Sequence, residues 1–373
     1  MSPASHLIRT NKVAFIVDLD NTLINTDGIK RRWENHFKTG FLDAYKKAKI
    51  KKGYPDIQEL AKLLSVDPNY FYKTPFKKYL FKDSLKAIST FKKVGKVVVL
   101  TLGDKNYQSL KIKNSGIEKM VGPSGVVISQ NKKSDIKKLI DSLLKDDFTE
   151  VVMIDDISSN LEFASKIYPK TVNVWFRFGK YKNKYPLIKN IVALEAYNLT
   201  AVADYLSRFI TVIHPPKSNL KLSILAGMDN NCTEDLVGYS KIDHQTKKFT
   251  HDYERFKNLK TFETWKSRGK TIYTLINRTG KLMGIIWFSK QTYKNIHYTF
   301  AIRTYKPVRG KGIAKMFMKY AFEDFISKNK SDVWLKMDID NKVAGNLYID
   351  FGFRRMSDKE GDRNIMVYKV NNS

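Results

Sequence analysis

Val13-Ala14-Phe15-Ile16-Val17-Asp18-Leu19-Asp20-Asn21-Thr22 is an apolar, β-branched run that passes directly into two carboxylates at alternate positions. The run reads as a short buried strand. Alternate residues of an extended chain point the same way, so Asp18 and Asp20 leave the strand together, at the carboxyl end where open parallel sheets place their ligands. One carboxylate can attack a phosphoryl group while the other handles the leaving group's proton. Two acids facing one phosphate would repel it. A hard divalent cation, usually Mg²⁺, resolves the conflict by bridging carboxylate and phosphate oxygens.

Working outward, residues 97–101, 151–154 and 172–175 are further strand-like runs separated by helical stretches. That alternation predicts an α/β fold, a parallel sheet wrapped by helices. Chemically useful residues recur where these runs end. Thr101 closes the second run and can donate to a phosphate oxygen. Lys132 and Lys133 precede the helical run 136–144, where a cation could neutralise charge building on phosphorus; helix position slightly favours Lys133. Asp155 and Asp156 end the third run and offer further hard ligands. Residues 26–92 interrupt the rhythm, and their apolar positions, such as Phe37, Phe41 and Tyr45, recur near helical spacing, predicting a helical cap on the sheet. Tyr70-Phe71-Tyr72-Lys73 and Phe76-Lys77-Lys78 mix rings with cations. They read as the cap's aromatic core with lysines snorkelling outward, in preference to a stacking lip for nucleic-acid ends.

A helix over 199–210 leads into His214-Pro215-Pro216-Lys217, where two prolines can neither extend a helix nor donate to a ladder. Domains are therefore expected at 1–211 and 218–373, joined by a linker at 212–217. The second half reads as helices first, then strands over 271–277, 283–289 and 296–304, entering Val308-Arg309-Gly310-Lys311-Gly312-Ile313-Ala314 and an amphipathic helix. Glycines at a strand-to-helix turn let backbone amides approach an anion at the helix's positive end, a cradle suited to a pyrophosphate. Asn341, Ala344, Leu347-Tyr348 and Phe351-Gly352-Phe353 follow some thirty residues later.

Residues 12–208 resemble the haloacid dehalogenase superfamily at Asp18-Leu19-Asp20-Asn21-Thr22, at Leu100-Thr101-Leu102-Gly103-Asp104 and at Ile154-Asp155-Asp156. The resemblance implies a Rossmann-like core with a C1 cap and a Mg²⁺-dependent phosphatase. In it Asp18 becomes an aspartyl phosphate and Asp20 is general acid and base. Thr101 binds the phosphoryl group and Lys132 or Lys133 stabilises the pentavalent species. The metal ligands come from Asp18, Asp20, Asp155 and Asp156, the last as a ligand or only a support. Residues 218–371 look like the GNAT acyltransferase fold, an α+β domain with a mixed sheet. That likeness implies an acetyl-CoA or other acyl-CoA site at Arg309, Gly310, Lys311, Gly312, Ile313, Ala314 and Asn341, with Arg309 alternatively bracing the loop. Tyr348 stands where that family often keeps the acid for the departing thiolate; its alternative is packing under the last strand. The base for the amine is open, with Asp338 and Asp340 as candidates.

The chain has 373 residues, 42% of them hydrophobic, and a formal net charge of +30. It is long enough for two or three cored domains. The apolar runs are strand-sized, residues 1–12 lack the apolar stretch of a secretory leader, and the single Cys232 can form no internal disulfide, so a soluble cytoplasmic protein without a membrane partner is expected. Basic residues are scattered along the whole length, and nucleic acid is ranked below a small-molecule phosphate ester and an amine acceptor as partner. The expectation is a bifunctional enzyme. Its rivals are a carrier-linked glyceryl or acyl transfer protein with the same domain order, for which no cysteine precedes Cys232, and a nucleic-acid end-processing phosphatase or binding protein. Cys232, His244 and His251 have irregular spacing and fall short of a structural zinc quartet.

Overall fold

The computed structural model describes residues 12–178, 191–215 and 220–370. The opening segment 1–11, Pro216 and Lys217, on which parts of the expected organisation fell, lie outside these. The chain divides into two compact units that meet between Ser207 and Arg208.

The first unit is built on six strands: β1 (Val13–Asp18), β2 (Gly95–Leu102), β3 (Val126–Ser129), β4 (Glu150–Asp155), β5 (Val172–Phe176) and β6 (Val192–Ala196). They lie in the order β3-β2-β1-β4-β5-β6 and every pair is parallel. β1 is flanked by β2 and β4, with Val17 opposite both Val99 and Ile154. The strand order reverses between β1 and β4, the switch point where such sheets open a ligand crevice. One face is sealed by Ile16, Leu100, Ile136, Ile140, Met153 and Leu161. Between β1 and β2 run the helices Thr26–Phe37, Phe41–Ile50, Ile57–Leu63, Asn69–Tyr72 and Ser84–Val94. The last packs on the sheet, Phe91 stacking on Phe15 at 5.0 Å, so it belongs to the layer beneath the preceding helices. Phe71 and Phe76 are buried, Phe71 against Trp33 and Phe76 against Tyr107, while Lys73, Lys77 and Lys78 are exposed. The rings are core and the cations snorkel.

The second unit carries β7 (Phe209–Ile213), β8 (Leu222–Ala226), β9 (Lys270–Asn277), β10 (Leu282–Tyr293), β11 (Ile296–Thr304), β12 (Val333–Asp338), β13 (Arg354–Glu360) and β14 (Arg363–Tyr368). Their order is β13-β14-β12-β11-β10-β9-β8-β7. β11 and β12 are parallel and the other neighbours antiparallel, so the sheet is mixed, as expected. Two details differ from the sequence-based expectation. The helix drawn over 199–210 ends at Arg208, and Phe209–Ile213 continues as a strand; β-branched Ile210, Thr211, Val212 and Ile213 favour the extended chain once β8 offers a partner. β8 also precedes the helices that were expected to come first. Phe288, Phe300 and Ile302 pack beneath Phe317, Phe322 and Phe325 of the helix Ile313–Asn329.

Candidate active sites

In the first unit, the ends of β1, β2 and β4 bring four carboxylates and two lysines together. Asp18, the last residue of β1, is 4% exposed. Lys132 Nζ donates to it and, at 2.9 Å, to Asp155 Oδ2. Asn131 caps the helix Lys132–Lys145 by accepting from Ser134 N at 3.2 Å. That cap makes Lys132 the first helical residue, and its ammonium reaches the strand ends. Lys133 instead lies over the Phe163 ring at 6.0 Å; the slight preference for it is corrected, because one step along a helix turns a side chain away by about 100°.

Asp155 is fully buried and fixed by Ile157 N at 2.8 Å and by Asn160 Nδ2 at 3.0 Å. Asp156 is 3% exposed, and burial next to Asp18 and Asp155 raises its pKa to about 9. Burial likewise raises Asp18 to about 7, with Lys132 opposing and Asp155 and Asp20 adding. Asp18, Asp155 and Asp156 have ligand atoms within 4.8 Å of one another, and Asp18 Oδ2 is buried with no hydrogen-bond partner. Carboxyls crowded this closely hold protons that a bound metal would displace. The residues therefore fit a hard divalent cation.

Asp20 stands apart from that cluster. Its Oδ1 accepts from Thr26 Oγ1 and, at 2.5 Å, from Lys111 Nζ; its Oδ2 accepts from Thr101 Oγ1 at 3.0 Å and Gln108 Nε2 at 2.9 Å. Burial pushes its pKa up, but the Lys111 charge and these donors outweigh that, and the net shift is downward. Thr101 thus points its hydroxyl at Asp20, and Asp20 is not grouped with the three other carboxylates named as metal ligands. Thr26, Gln108, Lys111 and Asn160 were missed from sequence. Lys111 is 1% exposed, and the polar pair Gln108 and Lys111, one turn apart on a helix opening right after Thr101, was the available signal. Lys111→Met is expected to let the Asp20 pKa rise. In a pH profile of aspartyl-phosphate breakdown, the half-reaction in which Asp18 is already esterified and Asp20 would act as the base, the acidic limb then moves to higher pH. A limb that stays in place counts against Asp20 as that base.

In the second unit, β11 and β12 pair only at Tyr298–Val333 and Thr299–Trp334, so the strands part beside Phe300 to Ile302. The split opens into a cavity of about 1040 Å³. Gly310 and Gly312 bound its loop with φ of 72° and 69°, a left-handed conformation that glycine adopts without steric cost. Gly312 caps the helix Ile313–Asn329 and brings no side chain of its own. Arg309 turns inward, donating to Thr304 O at 2.7 Å and Asp243 Oδ1 at 2.8 Å, and so braces the loop. Lys311 Nζ donates to Pro307 O, and Asn341 caps the helix Lys342–Phe351 through Ala344 N. Tyr348 lines the cavity at 8% exposure, packed between Phe300 and Phe353, and burial raises its pKa. Asp338 and Asp340 also line it. Among the described residues, Cys232, His244 and His251 form no metal-binding group.

Residues 238–353 match the model of the Acetyltransferase (GNAT) family. No curated protein matches the chain. Similar solved structures include one described as a haloacid dehalogenase-like hydrolase from Burkholderia xenovorans, at 20% identity and a TM-score of 0.43, covering 52% of this chain and 96% of that one. A haloacid dehalogenase-like family hydrolase from Xanthomonas campestris has 15% identity and a TM-score of 0.39, covering 53% and 92%. A Vibrio cholerae spermidine N-acetyltransferase, solved with CoA and spermine, has 16% identity and a TM-score of 0.34, covering 39% and 94%. No helix among the described residues is long and apolar enough to cross a membrane.

Proposed function

We propose that the chain is a bifunctional enzyme, a Mg²⁺-dependent phosphomonoesterase followed by an acyl-CoA-dependent N-acyltransferase. The observation that carries the first activity is Asp18 Oδ2, a buried carboxylate oxygen without a partner at the switch point of a parallel sheet. Its pKa, raised to about 7 by burial, reports a poorly solvated carboxyl that a bound cation would keep ionised for attack. Asp18 attacks phosphorus, the P–O ester bond breaks, and the departing alkoxide takes a proton from water, leaving the alcohol and an aspartyl phosphate. Water then attacks phosphorus, Asp20 accepts its proton, and phosphate and Asp18 are released. Lys111 keeps Asp20 ionised and so suited to this second half. Lys132 offsets charge on the phosphoryl oxygens. Asp18, Asp155 and Asp156 would hold Mg²⁺, which supplies charge neutralisation between the carboxylates and the phosphate when bound. The test is release of phosphate from a generic phosphomonoester with and without Mg²⁺; no release in either condition overturns the assignment.

Support for the second activity comes from the family match over 238–353 together with the parted β11 and β12 and the two left-handed glycines before a 17-residue helix. Amides from Gly310 to Ala314 are placed to receive a pyrophosphate at a helix N-terminus. The amine nitrogen attacks the acyl carbon, the C–S bond breaks, the Tyr348 phenol protonates the departing thiolate, and the proton shed by nitrogen returns to the phenolate through water. Tyr348→Phe is expected to lower kcat by about 10²-fold with KM for acetyl-CoA little changed, read as free thiol released in the presence of an amine. An unchanged kcat would leave Tyr348 as a packing residue.

A further inference from the structure

The wall of the acyltransferase cavity away from the glycine loop is cationic. Side chains alternate across β10 and β11. Phe288, Phe300 and Ile302 face the helix Ile313–Asn329, while Trp287 and Arg303 take intervening positions, the Arg303 guanidinium lying over the Trp287 ring at 4.9 Å. Trp265 meets Trp287 edge-on at 5.3 Å, and Lys270 Nζ stands 5.8 Å from the Trp265 ring. Arg255, Arg268 and Arg363 complete this lining.

Among the described residues one carboxylate forms ion pairs with the group, while Asp338, Asp340 and Asp350 line the same cavity. Asp252, 1% exposed, accepts from Arg303 Nε at 2.6 Å and Nη2 at 3.2 Å, and Arg255 reaches it at 3.5 Å. Arg303 Nη1 donates to Ile302 O, so Arg303 is held by the protein and acts as a brace. Arg268, Lys270 and Arg363 have no carboxylate within ion-pairing distance among the described residues; Arg363 Nη2 lies 3.5 Å from His251 Nε2. These charges feel one another. Burial lowers the Arg255 pKa and Arg303 and Arg363 add to the fall, against Asp252 and the weaker Glu254, while Lys270 is lowered by burial and then by Arg255 and Arg268. Five cations on one cavity wall, with ion pairs to a single carboxylate, repel one another, and a bound anion relieves that repulsion. A general excess of lysine does not explain the cluster, because four of the five are arginines, and Arg303 and Lys270 lie against indole rings.

We propose that the acceptor of the second domain is an amine whose other end is anionic, a carboxylate or a phosphate seated between Arg255 and Arg363. This rests on the acyl-transfer assignment for the amine and on the cation cluster alone for the anion. Charge-assisted hydrogen bonds to a guanidinium are about twice as strong as neutral ones, so the anionic end should dominate recognition.

The test uses three product-like probes on the full chain, titrated by calorimetry: N-acetyl-β-alanine, N-acetyl-2-aminoethyl phosphate and N-ethylacetamide. At least one anionic probe is expected to bind roughly ten-fold or more tighter than the neutral probe. Arg255→Gln with Arg363→Gln should remove that advantage without changing phosphate-ester hydrolysis by the first domain. The stronger of the two anionic probes identifies the source of the charge. No advantage, or displacement of the probes by saturating CoA, would overturn the inference, the latter assigning the cations to the cofactor. Titration of CoA alone separates the two claims: anionic probes that bind through Arg255 and Arg363 to a chain that does not bind CoA would sink the acyl-transfer assignment and leave the anion site standing.

Discussion

Asp18→Asn is expected to lower phosphate-ester hydrolysis by about 10⁴-fold or more while leaving acyl transfer by the second domain unchanged. The size follows from the role. An amide oxygen is a far weaker nucleophile than a carboxylate, and the substitution removes one of three carboxylates grouped within 4.8 Å. Asn keeps the size of the side chain and its place at the end of β1, and an uncharged neighbour eases the crowding around Asp155 and Asp156, so the fold should tolerate it. Thiol release from acetyl-CoA by the same sample serves as the internal control, since the acyl-transfer residues lie wholly within the second unit. Phosphate release within ten-fold of the unsubstituted chain would remove Asp18 as the nucleophile, whatever the metal does.

The main stations of the first site were legible because each is written locally. Asp18 ends an apolar run, Thr101 and Asp155 end two more, and parallel strands bring such ends together without further information. Asn131 followed by Ser134 also carried the start of the helix, and it would have placed Lys132 at the first helical position had the cap been weighed against the expected 136–144. β3 and β6 were not legible. Val126–Ser129 is four residues long at a sheet edge, and Val192–Ala196 contains the charged Glu195, which pairs with Arg177 at 2.8 Å, eighteen residues away in sequence. The ion pair Lys111–Asp20 spans ninety-one residues and Arg303–Asp252 fifty-one. Periodicity reports which face of an element is buried and not which charge it meets there, so the electrostatics of both sites had to come from three dimensions.

Those electrostatics make Lys132 and Lys133 an unequal pair. Lys132→Met is expected to lower phosphate-ester hydrolysis by about 10²- to 10³-fold, and Lys133→Met to change it little, since that side chain lies over Phe163. Stability should divide them too. Lys132 is 9% exposed between Asp18 and Asp155, and removing one member of a buried charged group costs about 3 kcal/mol. The dependence on pH has a definite sign. Asp18 is already raised from 3.8 to about 7, and Lys132 is the largest influence holding it down, so without the lysine it rises further. A carboxyl whose folded pKa exceeds its unfolded value binds more protons in the folded state, and its contribution to stability falls as pH climbs from 3.8 through the folded value. The loss in melting temperature for Lys132→Met should therefore be larger at pH 8 than at pH 5, and Mg²⁺ should recover part of it at pH 8, where protons compete least for the carboxylates. An equal loss at both pH values, or a larger one for Lys133→Met, would mean that the ammonium between Asp18 and Asp155 does not govern the charge of this site.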